Sequence, residues 1–155
     1  MGKFQVIWNL LSSKVTLAPK YDELAAKSMK FLRSVSLQSS NRALFQQESV
    51  LSEICNNIVV RNLQLRESDV ETFEDNPMDY IHKDIEGSDG DTRRSAATEL
   101  LRGLRSMFDE PVTRICLGTV TTLLQEYSLD PVNKWIQKDV AVRFSKLIYS
   151  ITSDI

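Results

Sequence analysis

Six apolar stripes at helical spacing run along the chain, and the intervals between them constrain the fold more than any other feature. Their centres fall near residues 8, 29, 54, 100, 119 and 142. Taken in pairs, they stand about 21, 46 and 23 residues apart. Only the middle interval is out of step, and it contains residues 67–91, an acidic stretch of 25 residues. Without that stretch it shortens to about 21, and three helix hairpins repeat with a period of roughly 40 to 47 residues, the spacing of HEAT and armadillo arrays. A hairpin of this kind cannot bury its apolar face alone, so neighbours must stack. The expected fold is all-α: a HEAT-repeat α-solenoid of about three hairpins over residues 1–155, with an acidic insertion at 67–91 inside the middle hairpin. A closed six-helix bundle is the alternative that periodicity leaves open.

The stripes also assign faces. Phe4 to Ser13 forms the first helix and ends before Ala18-Pro19, because proline disfavours helix for the residue preceding it. Tyr21 to Leu37 sets Tyr21, Leu24, Ser28, Phe31, Leu32 and Val35 on one side, with Lys20, Lys27, Lys30 and Arg33 left for solvent. From Gln47 to Val60 the inward set is Val50, Leu51, Ile54, Cys55, Ile58 and Val59. Asp91 is the expected N-cap of a fourth helix facing inward through Ala97, Leu100, Leu101, Leu104, Met107 and Phe108. Pro111 is expected at the first position of the fifth, which faces in through Val112, Ile115, Cys116, Val120, Leu123, Leu124 and Tyr127. After Asp130-Pro131, Ile136, Val140, Phe144, Leu147, Ile148 and Ile151 stripe the sixth.

Net charge is only −2, which gives no electrostatic reason to expect nucleic acid or an anionic membrane as a partner. No stretch reaches membrane-spanning length. The charge is unevenly spread: residues 67–91 hold ten acids and one base, Lys83, for a net −9 that leaves +7 on the rest. Within this stretch Asn76-Pro77 reads as an N-cap and first helical position, so Met78 to Ile85 is expected to form a short helix able to dock through Met78, Ile81 and Ile85. Composition alone does not choose between a solvated loop and a docking surface for a basic partner.

Catalysis finds no support. The single histidine, His82, lies in the acidic stretch with no Cys or Ser nucleophile near it in sequence. Nucleotide-binding glycine loops and HExxH are absent, and Cys55 and Cys116 lie in apolar stripes without metal-ligand spacing. They are expected to be reduced core thiols. The run Asp84 to Asp91 superficially resembles a calcium loop, but an EF-hand starting at Asp84 would put Asp89 where glycine is required and Ser95 where the bidentate Glu belongs. No enzyme, cofactor or metal is expected.

The acidic stretch carries a resemblance. Phe73-Glu74-Asp75-Asn76-Pro77-Met78-Asp79-Tyr80-Ile81, then Asp84-Ile85-Glu86-Gly87-Ser88-Asp89 and Asp91-Thr92-Arg93-Arg94, is similar to the insertion of the CAS family of exportins, the importin-α re-exporters of the importin-β superfamily. Pro19 to Leu24, Ile54-Cys55, Arg102 to Leu104, Glu110 to Thr113, Leu124 to Tyr127 and Lys138-Asp139 agree as well. The resemblance implies a HEAT solenoid that wraps RanGTP and importin-α in the nucleus and releases both in the cytoplasm. It implies that the insertion contacts Ran and acts as a hinge, with Glu74, Asp75, Tyr80, Asp84, Glu86, Asp89, Arg93 and Arg94 as candidate partner-binding residues. It also implies a protein several times longer, so that both ends of these 155 residues are expected to expose apolar faces.

Overall fold

The computed structural model describes residues 2–85 and 92–150, except for the side chains of Asp84 and Ile85. Among the described residues there are helices and no strands. The first hairpin joins α1 (Gly2–Ser12) to α2 (Asp22–Ser36), and a four-residue helix, α3 (Arg42–Phe45), leads into the second. There α4 (Glu48–Glu53) continues through a π-helical stretch, Ile54–Val59, into α5 (Val60–Leu63). Next come α6 (Glu67–Asp75), α7 (Pro77–Tyr80) and a second π-helical stretch, Ile81–Ile85. The chain then returns in α8 (Arg93–Met107) and ends in a third hairpin, α9 (Asp109–Leu129) and α10 (Trp135–Tyr149).

Helix direction separates a solenoid from a closed bundle. Helices α2, α8 and α10 form one layer: Asp22 and Arg33 of α2 meet Arg93 and Glu99 of α8 in that order. Arg94 and Arg105 of α8 likewise meet Asp139 and Leu147 of α10. In the other layer, Glu48 and Asn56 meet Arg114 and Thr119 of α9. Partners advance together along both chains, so neighbours within a layer run parallel. An up-and-down bundle joined by short loops would set neighbours antiparallel, whereas parallel layers follow from stacking like hairpins.

The core runs between the layers. Leu51, Ile54, Cys55, Ile58 and Val59 are all buried, as are Ala97, Leu100, Leu101, Leu104 and Phe108. Cys55, in the π-helical stretch, and Cys116 of α9 are buried free thiols; the neighbouring Cys116 thiol and then burial push the Cys55 thiol up. Gly103 leaves room for the Arg33 side chain between α2 and α8: a Cβ there would lie 2.9 Å from Arg33 Cγ.

Several expected faces are corrected. Leu24 and Phe31 are 42% and 36% exposed, and α2 buries Ala25, Ala26 and Met29 instead. Arg33 of α2 reaches the Glu99 carbonyl of α8, and Leu24 and Phe31 turn to a flank where the described residues place no neighbouring hairpin. Leu124 is 43% exposed for the same reason at the other end, and Met78 does not dock. Thr92 is the N-cap of α8, its Oγ1 accepting the Ser95 N–H at 3.0 Å. Helix α9 begins at Asp109, with Pro111 in its first turn, where the missing N–H still goes unused. Asp91 and Ile151 lie outside the described residues.

These exposures set a contrast in stability. Leu101→Ala removes a side chain 2% exposed and is expected to cost about 2 to 5 kcal/mol. Leu124→Ala, on an open flank, is expected to cost under about 1 kcal/mol. Urea unfolding of both variants checks this, and equal losses would mean that the α9 flank is covered.

Candidate partner-binding site

The acidic stretch is anchored to the solenoid by arginines reaching the carbonyl end of a helix. The last carbonyls of α5 have no partners within the helix, and α8 starts directly beside them. Arg93 is 3% exposed and donates from Nη1 to the Arg61 carbonyl at 3.1 Å and from Nη2 to the Gln64 carbonyl at 2.9 Å. Arg94, 4% exposed, donates from Nε to the Leu63 carbonyl at 3.0 Å. Two guanidinium charges thus sit at the negative end of the helix dipole. Arg105 repeats the device at the end of α10, donating to the Leu147 and Ile148 carbonyls at 2.8 and 2.6 Å.

From these anchors the network extends into the acidic stretch. Arg94 Nη1 donates to the Tyr80 hydroxyl at 2.7 Å, and Nη2 to Asp139 of α10 at 3.1 Å. One side chain therefore ties together α5, α7, α8 and α10. Tyr80 packs edge-on against Phe73, with ring centroids 5.6 Å apart, which couples α6 to α7. Asp69 caps α6 by accepting the Arg66 N–H at 2.7 Å and also receives Arg93 Nη2 at 3.2 Å. Arg66 forms a two-pronged pair with Asp22 of α2, one prong at 2.8 Å, and donates to the Leu17 carbonyl at 3.0 Å.

These groups surround a cleft of about 360 Å³ lined by Asp22, Arg66, Asp69, Tyr80, Arg93 and Arg94 among others. Burial is the largest influence on the Arg66 guanidinium and pulls its pKa down, but Asp22 and Asp69 together outweigh it and leave the value raised. Burial and then the Arg66 charge lower Arg93, from so high a starting value that it stays cationic.

The candidate residues fall into two groups. Tyr80, Arg93 and Arg94 converge at the anchor, turned into the protein. Glu74 and Asp75 are exposed at the end of α6. The Asp84 side chain, Glu86 and Asp89 lie outside the described residues. Sequence reasoning missed Asp22, Arg66, Asp69 and Asp139. No sequence signal marked them, because Arg66-x-x-Asp69 lacks the accepting Ser, Thr, Asp or Asn at the N-cap that makes a capping box readable. Among the described residues no group of His, Cys, Asp and Glu could hold a metal ion, and no helix is long and apolar enough to cross a membrane.

Comparison with known proteins covers almost the whole chain. The Cse1 family profile matches residues 2–154. Exportin-2 of Xenopus laevis is 45% identical over 149 residues, 95% of this chain, and human Exportin-2 is 44% identical over the same share. The solved structure of the exportin Cse1 in its cargo-free, cytoplasmic state superposes with a TM-score of 0.88 at 39% identity over 93% of this chain. The chain spans 14% of the length of those two relatives and 16% of the solved chain. With parallel layers of stacked hairpins, and with profile, sequence and structure in agreement from end to end, the chain belongs to the Cse1 family.

Proposed function

We propose that this chain serves within a nuclear export receptor that binds RanGTP together with importin-α and shuttles between nucleus and cytoplasm to return importin-α. The observation that carries this reading is the match over 95% of the chain to proteins named Exportin-2. In this reading the acidic stretch faces a basic patch of the GTPase through Glu74, Asp75, Asp84, Glu86 and Asp89. Tyr80, Arg93 and Arg94 hold that stretch in place. Complementary potential speeds encounter and fixes orientation, and a stretch of net −9 on a scaffold of net +7 supplies it. The anchor also suits a hinge, because Arg94 connects the stretch to both the second and the third hairpin.

The test is a chimera in which this sequence replaces the matching segment of Xenopus laevis Exportin-2. Importin-α retention is then measured with Ran bound to GTP or to GDP. The proposal predicts retention with RanGTP and little with RanGDP. Retention that ignores the nucleotide would point to a passive HEAT scaffold.

A further inference from the structure

We propose that Thr72 is a phosphorylation site for a serine/threonine kinase with a basic substrate groove, and that its phosphate draws Lys83 across a cleft and fastens the acidic stretch. Thr72 opens the last turn of α6, is exposed, and donates from Oγ1 to the Ser68 carbonyl at 2.8 Å. Residues 71–78 form a continuous exposed run. Glu71, Glu74 and Asp75 stand one residue before and two and three after the hydroxyl, and no Lys or Arg occurs between 67 and 82. Charge of one sign over that length suits a groove of the opposite sign and repels one built for basic substrates. The hydroxyl can also be presented. None of the α6 residues is buried, and Asn76-Pro77 ends the helix with a residue that has no N–H, so the last turn unwinds locally at little cost.

What a phosphate would meet there follows from the cleft of about 360 Å³, which lies among α2, α6 and α8, away from both ends of the sequence. Thr72 is part of its lining, together with four cations, Arg66, Lys83, Arg93 and Arg94, and three carboxylates, Asp22, Glu23 and Asp69. The arginines are committed: Arg66 to Asp22, Arg93 to two carbonyls and Asp69, Arg94 to a carbonyl, Tyr80 and Asp139. Lys83 is held differently. Its ammonium pairs with Asp79 one turn earlier at 2.9 Å, and its side chain is 53% exposed. An exposed pair of this kind is weak, and a phosphate offers nearly two charges and three acceptor oxygens in place of one carboxylate. The phosphate in turn needs a cation, because it stands at the negative end of the α6 dipole and one turn from Asp69. Lys83 belongs to the Ile81–Ile85 stretch, so the new contact ties the end of α6 to the segment that follows α7. In the transfer itself Thr72 Oγ1 attacks the γ-phosphorus of ATP, ADP leaves with the electrons of the broken P–O bond, and the hydroxyl proton passes to the kinase base.

The test incubates the 155-residue chain with ATP and an acid-directed kinase, assayed in parallel on casein, and maps the modified residue by peptide mass. The phosphate is expected on Thr72, is lost in Thr72→Ala, and does not appear at Thr72 with a base-directed kinase. An unmodified Thr72 in a reaction that phosphorylates casein would overturn the assignment. The fastening is read by chymotryptic cleavage after Tyr80, eight residues from the phosphate, with and without prior phosphorylation. Phosphorylation should slow this cut about fivefold, the gain from one exposed phosphate–ammonium contact. Lys83→Gln should take up phosphate equally and show no slowing. A cut slowed as much in Lys83→Gln as in the parent, or slowed in neither, would overturn the role given to Lys83.

Discussion

Replacing Arg94 with alanine lowers the unfolding free energy by about 3 to 5 kcal/mol, the loss expected when one partner of a buried charged network is removed. Truncation removes the donor to the Leu63 carbonyl at the end of α5, the donor to the Tyr80 hydroxyl and one contact of Asp139. Asp139 keeps Arg143 at 3.5 Å, so the largest loss falls on the buried end of α5 and on the attachment of α7. Lysine restores less than half, because three acceptors around one planar fork cannot be met by a single ammonium. The same variant should expose the acidic stretch to proteolysis at concentrations that spare the parent chain. Urea unfolding and limited proteolysis check both parts. A loss below about 1 kcal/mol, the range of an exposed ion pair, would show that the anchor carries no structural load.

The second large effect is in the core. Phe45→Ala is expected to cost about 3 to 5 kcal/mol, as buried aromatic truncations do. Phe45 is 0% exposed although it sits in a helix of only four residues. Its ring meets Phe4 edge-on at 5.7 Å and lies 6.5 Å from Phe108, linking the first hairpin to the second and to the start of the third. Such aromatic pairs add about 0.5 to 1.5 kcal/mol beyond the area they bury. Phe45→Leu, which keeps most of the volume, should lose roughly half as much. Equal losses for Ala and Leu in thermal unfolding would mean that ring contacts, rather than volume, dominate this junction.

Phe45 also shows where sequence reading stops. It has no stripe of its own, because α3 is shorter than two turns and turn-forming residues precede it, so periodicity gave it no weight. The long stripes were legible: the inward sets of α4 through α5 and of α8 are buried nearly as spacing predicts, because each of those helices has neighbours on its apolar side. At the ends of the stack the pattern misleads. Helices α2 and α9 carry apolar residues on two flanks, one for the core and one facing outward, and a single sequence does not say which flank has a neighbour. The long acidic gap in an otherwise regular repeat was visible and marked the unusual segment. Its attachment was not, since Arg66 and Asp22 stand 44 residues apart and arginines in charged context ordinarily read as solvent-facing.

The contact assigned to the acidic stretch is tested most directly by association kinetics. Asp84, Glu86 and Asp89 are changed together to lysine in the Exportin-2 chimera, and binding of RanGTP with importin-α present is followed by stopped flow at low and at physiological salt. The exchange alters local charge by about +6, turning attraction toward a basic patch into repulsion that is screened beyond about 8 Å at physiological salt. The expected result is slower association, with a deficit clearly larger at low salt and a smaller change in dissociation. Association and dissociation rates unchanged at both salts would contradict it, leaving the acids as a solvated surface and the arginine anchor as a purely structural device.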